Sequence, residues 1–271
     1  MSSRPDVRPF DRSSPPHILT LVCVTGLSAM AMNIFLPSLP RMAEHFGVDY
    51  GVMQLSVSLY LLMTAILHLF VGPISDRVGR RPVLLTSIIL FLLATLGTIF
   101  APSAEVFLAC RMGQAVLASG MVLSRAIVRD LYDQSESASM IGYVTMGMAV
   151  VPMIAPAIGG VLDQNFGWTA SFWFLLASGI ALFLLVWFDL GETNTTPSVS
   201  FARQFADYPE LLTARRFWGY CLCAAFCSGA FFAFLGGAPF LGAEVYDLSP
   251  TTLGIYIGAP AVGYAFGNFL A

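Results

Sequence analysis

Arg111 sits inside an apolar run, Val106–Val128, where a charge needs a reason to be. A guanidinium at the centre of a membrane-spanning helix costs about 2.5–3.5 kcal/mol on insertion scales, so it must face a wet cavity or a polar partner. The alternative is an arginine that snorkels to the nearer surface, where Glu105 lies about two turns away. Asn33, Tyr60, Met63, Gln114, Met146 and Met148 can line a cavity with it, mostly apolar and adaptable, as suits the binding of small molecules. Asn33 can hydrogen-bond but cannot titrate. No Asp or Glu lies deep in any apolar run, and His17, His45 and His68 stand apart. The set therefore offers recognition and not bond making: no catalytic residues are expected, and no membrane-embedded enzyme. His68 either titrates near neutral pH or simply holds a neighbour. Cys221, Cys223 and Cys227 lack zinc-ligand spacing, and the 5 cysteines, all within apolar runs, read as small hydrophobes without a disulfide. No metal and no cofactor are expected.

A second constellation is Gly72-Pro73-Ile74-Ser75-Asp76-Arg77-Val78-Gly79-Arg80-Arg81. Its charges lie between two apolar runs, so it reads as a short loop at a membrane surface that pins two helices together. Asp76 can turn its charge toward positive helix ends and toward Arg80, and Arg80 can reach Asp130. An ordinary basic loop needs the arginines but not this placement of Gly72, Asp76 and Gly79. In a third stretch Gly147, Pro152, Pro156, Gly159 and Gly160 share one run. There the prolines remove donors and bend a helix, while paired glycines let a neighbour approach closely.

The elements that position these residues follow from composition. Hydrophobic residues make up 57% of the chain and charged residues 11%, with a mean hydropathy of +0.76. Soluble domains carry about 25% charge, so the chain is an all-α polytopic membrane protein. Eight spans are expected: Ile18–Leu36, Val52–Val71, Val83–Ala101, Val106–Val128, Ala138–Leu162, Trp168–Phe188, Trp218–Leu241 and Thr251–Ala271. Ala29-Met30-Ala31 mimics a signal-peptide cleavage site but lies within the first span. With the N-terminus inside, Arg4, Arg8, Arg12, Arg77, Arg80, Arg81, Arg125, Arg129, Arg203, Arg215 and Arg216 are all cytoplasmic, leaving Arg41 outside and Arg111 in the bilayer. Asp163-Gln-Asn165 reads as an outer loop, and Trp168 with Trp173 as interfacial anchors. Residues 1–16 form a flexible cytoplasmic tail and 189–215 a cytoplasmic connection, within which Phe201–Leu212 is either a short surface helix or a plain tether. At an offset of 200 residues, Phe46-Gly-Val is echoed by Tyr246-Asp-Leu, and near that offset Pro37 is echoed by Pro239.

Gly72-x-x-x-Asp76-Arg77-x-Gly79-Arg80-Arg81 closely resembles the loop between the second and third helices of the major facilitator superfamily. Arg111-Met-Gly-Gln114, with Arg125 and Arg129-Asp130, resembles the fourth-helix motif of its drug:proton antiporters. Gly147 through Pro152, Pro156, Gly159 and Gly160 is similar to their fifth-helix motif, with Val151 and Ala155 where glycines are usual. Asn33-Ile-Phe-Leu-Pro37-Ser-Leu-Pro40 resembles the Asp-x-x-Leu-Pro-x-x-Pro signature of the bicyclomycin and chloramphenicol exporters, with Asn33 in place of the acid. The resemblance covers Ile18 to Ala271. It implies a complete N-terminal six-helix bundle over 17–188 and, over 216–271, the first two helices of an incomplete C-terminal bundle in a truncated chain. It implies a monomeric, proton-coupled exporter of drug-like small molecules in the bacterial inner membrane, contacting lipid and no nucleic acid. It also leaves open a transport-inactive remnant. Asn33, Tyr60, Arg111 and Gln114 would lie on the substrate and proton pathway. Gly72, Asp76, Arg77, Gly79, Arg80, Arg81 and Asp130 would form an inner latch favouring the outward-open state.

Overall fold

The computed structural model describes residues 10–12, 14–194 and 208–270; within these, the side chains of 135, 146–149, 153, 208, 211, 261, 262 and 264–270 fall outside the description. All regular elements among the described residues are helical: α1 Ile18–Asn33, α2 Leu39–Phe46, α3 Tyr50–Val78, α4 Arg80–Ile99, α5 Ala104–Gln114, α6 Ser119–Leu131, α7 Gln134–Phe166, α8 Thr169–Asp189, α9 Tyr208–Thr213, α10 Arg215–Phe240 and α11 Pro250–Leu270, with short 3-10 turns at Leu36–Ser38 and Ala115–Ala118 and a π turn at Leu241–Val245. Among the described residues, seven stretches are long and apolar enough to cross a membrane: Ile18–Phe46, Tyr50–Val78, Arg80–Ile99, Ala104–Leu131, Glu136–Phe166, Thr169–Asp189 and Arg215–Val245. The eighth expected span is the helix α11. Exposed Leu62, Leu69, Phe70, Leu93, Leu184 and Phe188 give the bundle the apolar exterior that a lipid-facing protein needs.

Several boundaries differ from those expected. The first span does not stop at Leu36. Helix α1 ends at Asn33, the chain makes one 3-10 turn, and α2 starts again with Pro at its first turn, where a missing N–H leaves no bond unmade. The expected loop at 72–81 is helix almost throughout. Helix α3 runs through Pro73 to Val78, the Ser75 hydroxyl donates to the Gly72 carbonyl, and the break is Gly79 alone, at φ 108° and ψ 153°. In lipid an uninterrupted helix keeps its backbone bonded, so Gly72-Pro73, which would mark a turn in a soluble chain, does not end this one. Asp163 is likewise not in a loop: α7 continues to Phe166, and Asp163 is buried and paired with Arg41 at 3.3 Å. Trp168 turns inward against His45, Phe46, Phe107 and Phe172, whereas Trp173 is exposed.

The offset of 200 residues has a geometric counterpart. Gly47 (φ 63°) and Asp247 (φ 50°) both turn the chain through the left-handed region, and α3 and α11 begin at Tyr50 and Pro250. Proline also precedes a break in each preceding helix, at Pro37 in the 3-10 turn and at Pro239 just before the π turn.

The end of the tail and the start of the connection are held in place. The Asp189 carboxylate, 2% exposed, accepts from the backbone N–H of Phe10 (3.1 Å) and His17 (2.9 Å) and from the Thr20 hydroxyl (2.5 Å). The described part of the expected flexible tail is thus tied to the end of α8, while most of Phe201–Leu212, expected as either a short helix or a plain tether, lies outside the described residues. Asp189→Asn turns an acceptor into a donor facing donors, and should lower stability by about 1–2 kcal/mol. The check is the unfolding temperature together with proteolysis ahead of Ile18, which should speed up; an unchanged pattern in both would remove Asp189 from this role.

Candidate functional site

The break between α1 and α2 faces the middle of the bundle, and Arg111 fills the space beside it. Its side chain is 1% exposed. The guanidinium carbon lies 4.3 Å from the Phe35 ring centroid and 4.6 Å from that of Tyr60, so two aromatic rings flank the charge at cation–π distance. Nη1 donates to the Gln114 Oε1 and, at 3.3 Å, to the Ala31 carbonyl. Gln114 Nε2 passes the contact on to the Thr95 hydroxyl at 2.7 Å, which donates to the Phe91 carbonyl. Arg111 and Gln114 therefore join α1, α4 and α5 in one buried relay, and the snorkelling alternative does not apply. Phe35, which the sequence reading passed over, is held by Phe172 (6.0 Å between centroids), itself packed on Phe107 and Trp168. Immediately after Gln114 the helix tightens into the 3-10 turn Ala115–Ala118. The carbonyls of that turn take hydrogen bonds from Ser28 and from the His68 ring nitrogen, so His68 holds a neighbour.

This layer is under-satisfied. Among the described residues, Arg111 Nε and Nη2, Asn33 Oδ1 and the hydroxyls of Ser38, Ser56, Tyr60 and Thr64 are buried without a hydrogen-bond partner. Asn33 Nδ2 is occupied, donating to the Ala29 carbonyl at 2.7 Å. Each orphaned buried group costs about 1–3 kcal/mol, more for a charged one, so such a cluster calls for a functional explanation.

The second constellation closes the arginine-rich end. Arg80, 8% exposed, donates through Nε to Asp130 at 3.0 Å and through Nη1 to Asp76 and the Ser75 hydroxyl. It thus ties the end of α3 to the end of α6 as the residue order suggested. The start of α4 is capped by Glu192, which accepts from the backbone N–H of Arg80 (2.8 Å) and Arg81 (3.2 Å) and places a negative charge at the positive helix end. The same stretch adds Asn194, whose amide donates to the Asp76 carbonyl at 2.8 Å, and Thr193, whose hydroxyl bonds Asp130. Arg81 bonds the Leu190 carbonyl at 2.7 Å and lies over the Trp187 ring. No local signal marks Glu192, since it is an isolated acid more than a hundred residues from its partners. Arg77 is exposed at this end, and a methyl group on Gly72 would meet nothing within 4 Å.

The third constellation is a contact surface. A Cβ on Gly159 would fall 1.6 Å from the carbonyl oxygen of Ile34, at the α1 break, and one on Gly160 would fall 2.2 Å from the carbonyl oxygen of Pro250. Gly254 returns the contact, approaching the Pro156 carbonyl as closely. Helix α7 is thereby clasped between the α1 break and α11. The side chains of Met146 and Met148, and the surroundings of Gly147, lie outside the described residues. No group of three or more potential metal ligands occurs among the described residues.

The sequence profile of the Major Facilitator Superfamily matches residues 21–271. An uncharacterized MFS-type transporter of Bacillus subtilis, YdgK, is 35% identical over 267 residues, which cover 96% of this chain and 66% of that one. A chloramphenicol resistance protein of Pseudomonas aeruginosa is 34% identical over 242 residues, covering 89% of this chain and 57% of the other. Among solved structures, a bacterial homolog of the human lysosomal transporter Spinster, inward-facing and unoccupied, shares the fold with a TM-score of 0.78 at 22% identity, over 93% of this chain and 60% of that one. The chain spans roughly three fifths of the length of the proteins it matches.

Proposed function

We propose, on the premise that this chain belongs to the Major Facilitator Superfamily, that it works as an efflux transporter for drug-like amphipathic molecules, by alternating access and in exchange for protons. The observation that carries this reading is Arg111, a buried charge flanked by Phe35 and Tyr60 beside a broken helix. A group so expensive to bury is kept where it contacts something that moves. The resistance named for the Pseudomonas aeruginosa relative agrees with a drug-like substrate. We place the protein as a monomer in a bacterial inner membrane with the N-terminus inside, because Arg12, Arg80, Arg81 and Arg129 then face the cytoplasm. The Arg80 cluster would latch that face, and the six spans from Ile18 to Asp189 would rock against the pair that follows.

Cells expressing the native gene should retain severalfold less ethidium than cells carrying an empty vector; equal retention at confirmed membrane expression would overturn the reading. Proton exchange has its own test. Asn33 cannot take up a proton, so Asn33→Asp should steepen the dependence of efflux on external pH between pH 5 and 8. A pH profile identical to that of the parent would argue against a coupling role for this position.

A further inference from the structure

The orphaned atoms around Arg111 share a geometry that points to the chemistry of the ligand. In a guanidinium, Nε–H and Nη2–H lie on one edge and run parallel, the arrangement that meets both oxygens of a carboxylate at once. Nη1 is already committed to Gln114 and Ala31, and the two nitrogens without a partner are Nε and Nη2. The free edge is therefore the bidentate one. Both ring contacts are aromatic, and no ion pair joins Arg111 to a carboxylate among the described residues.

Helix α3 supplies a second, independent indication. Ser56, Tyr60 and Thr64 recur every four residues and so line one face of the helix, and all three hydroxyls are buried without a partner. A serine or threonine in a helix ordinarily bonds back to its own backbone, as Thr25, Ser28, Ser87 and Thr95 do here. Tyr60, in the middle of the stripe, is the residue that touches Arg111. The stripe meets the guanidinium at Tyr60, so that the free edge and three hydroxyls able to donate lie unpaired in one buried layer. In this conformation it is closed off, so a ligand would reach it when α3 moves relative to the α1 break.

We infer that Arg111 binds the carboxylate of an amphipathic organic acid through Nε and Nη2, with the Tyr60 hydroxyl as a further donor and Phe35 and Tyr60 as apolar walls. This rests on the exporter reading above and adds to its substrates molecules carrying a carboxylate on an apolar body. A monatomic anion such as chloride would use the charge but neither the apolar walls nor the paired geometry.

The test compares 1-naphthylacetate with its near-isosteric neutral partner 1-naphthylacetamide, both titrated into the purified chain in lipid nanodiscs and followed by calorimetry. The acid should bind on the order of 10- to 100-fold more tightly, as expected for two charge-assisted hydrogen bonds. Arg111→Lys keeps the charge and loses the paired edge, so it should reduce that preference severalfold while the unfolding temperature shows that the fold is retained. Equal affinity for the two probes, or binding of neither, overturns the inference on the parent protein alone. Displacement of naphthylacetate by an equal concentration of chloride would also overturn it, assigning the edge to a small ion. None of these results touches the ethidium measurement, so failure here leaves the exporter reading to its own test.

Discussion

Gly159→Ala should prevent the chain from accumulating as a folded protein, although it adds a single methyl group. The new Cβ would stand 1.6 Å from the Ile34 carbonyl oxygen and 2.7 Å from its carbon. Both are backbone atoms, so no rotamer change can relieve the overlap, and α7 must separate from the α1 break. Overpacking a core costs typically about 1–3 kcal/mol, and a clash between main chains belongs at or beyond the top of that range. The damage spreads because the same helix clasps α11 through Gly160 and Gly254. Gly142→Ala is the control: it lies in the same helix, nothing stands within 4 Å of its added methyl, and it should be neutral or gain about 0.5–1 kcal/mol from backbone entropy. The readouts are the yield of monodisperse protein and its unfolding temperature. Matching values for Gly159→Ala and the parent would mean that these helices do not approach as described.

How much of this was legible in the sequence depended on whether a residue violates its local pattern. Arg111 stood out because a charge inside an apolar run has to be accounted for, by a partner or by snorkelling, and Gly159-Gly160 after two prolines stood out as a break in pattern too. Phe35 did not, since an aromatic in a membrane span is unremarkable until a guanidinium is found against its ring. The arginine-rich turn was read in its pairing of Arg80 with Asp130 and misread in its shape. Gly72-Pro73 carries the strongest local turn signal, but the membrane penalises an unbonded backbone more heavily than a proline, and only Gly79 leaves the helix. Glu192 was invisible because capping at such a separation is decided by where α8 ends, which is a property of the assembled bundle. The length of the first span was lost for a related reason: Pro37 and Pro40 look like terminators, yet each stands at the start of a new turn, where proline fits.

Arg80→Ala should loosen the arginine-rich end by about 2–4 kcal/mol and expose it to water-soluble reagents. Breaking a buried ion pair by deleting one partner costs about 3–5 kcal/mol; the lower figure allows for Asp76 and Asp130, whose side chains are 30% and 24% exposed and so partly screened. Without Arg80 the two carboxylates lose the cation that they share between α3 and α6. Glu192 remains bonded to the backbone of α4, so the helix start should survive while its tie to α6 is lost. A cysteine at Thr193, which bonds Asp130, reports the change if the five natural cysteines are first replaced. Its reaction with a membrane-impermeant maleimide in inside-out vesicles should quicken by more than tenfold in Arg80→Ala, since each factor of ten needs only about 1.4 kcal/mol. Arg80→Lys should fall between the two, because an ammonium can satisfy one of its carboxylates but not span both along the directions the guanidinium takes. Labelling at the parent rate in Arg80→Ala would mean that the stretch from Leu190 to Asn194 closes this end unaided. The closure of this end would then belong to that stretch and not to the arginine.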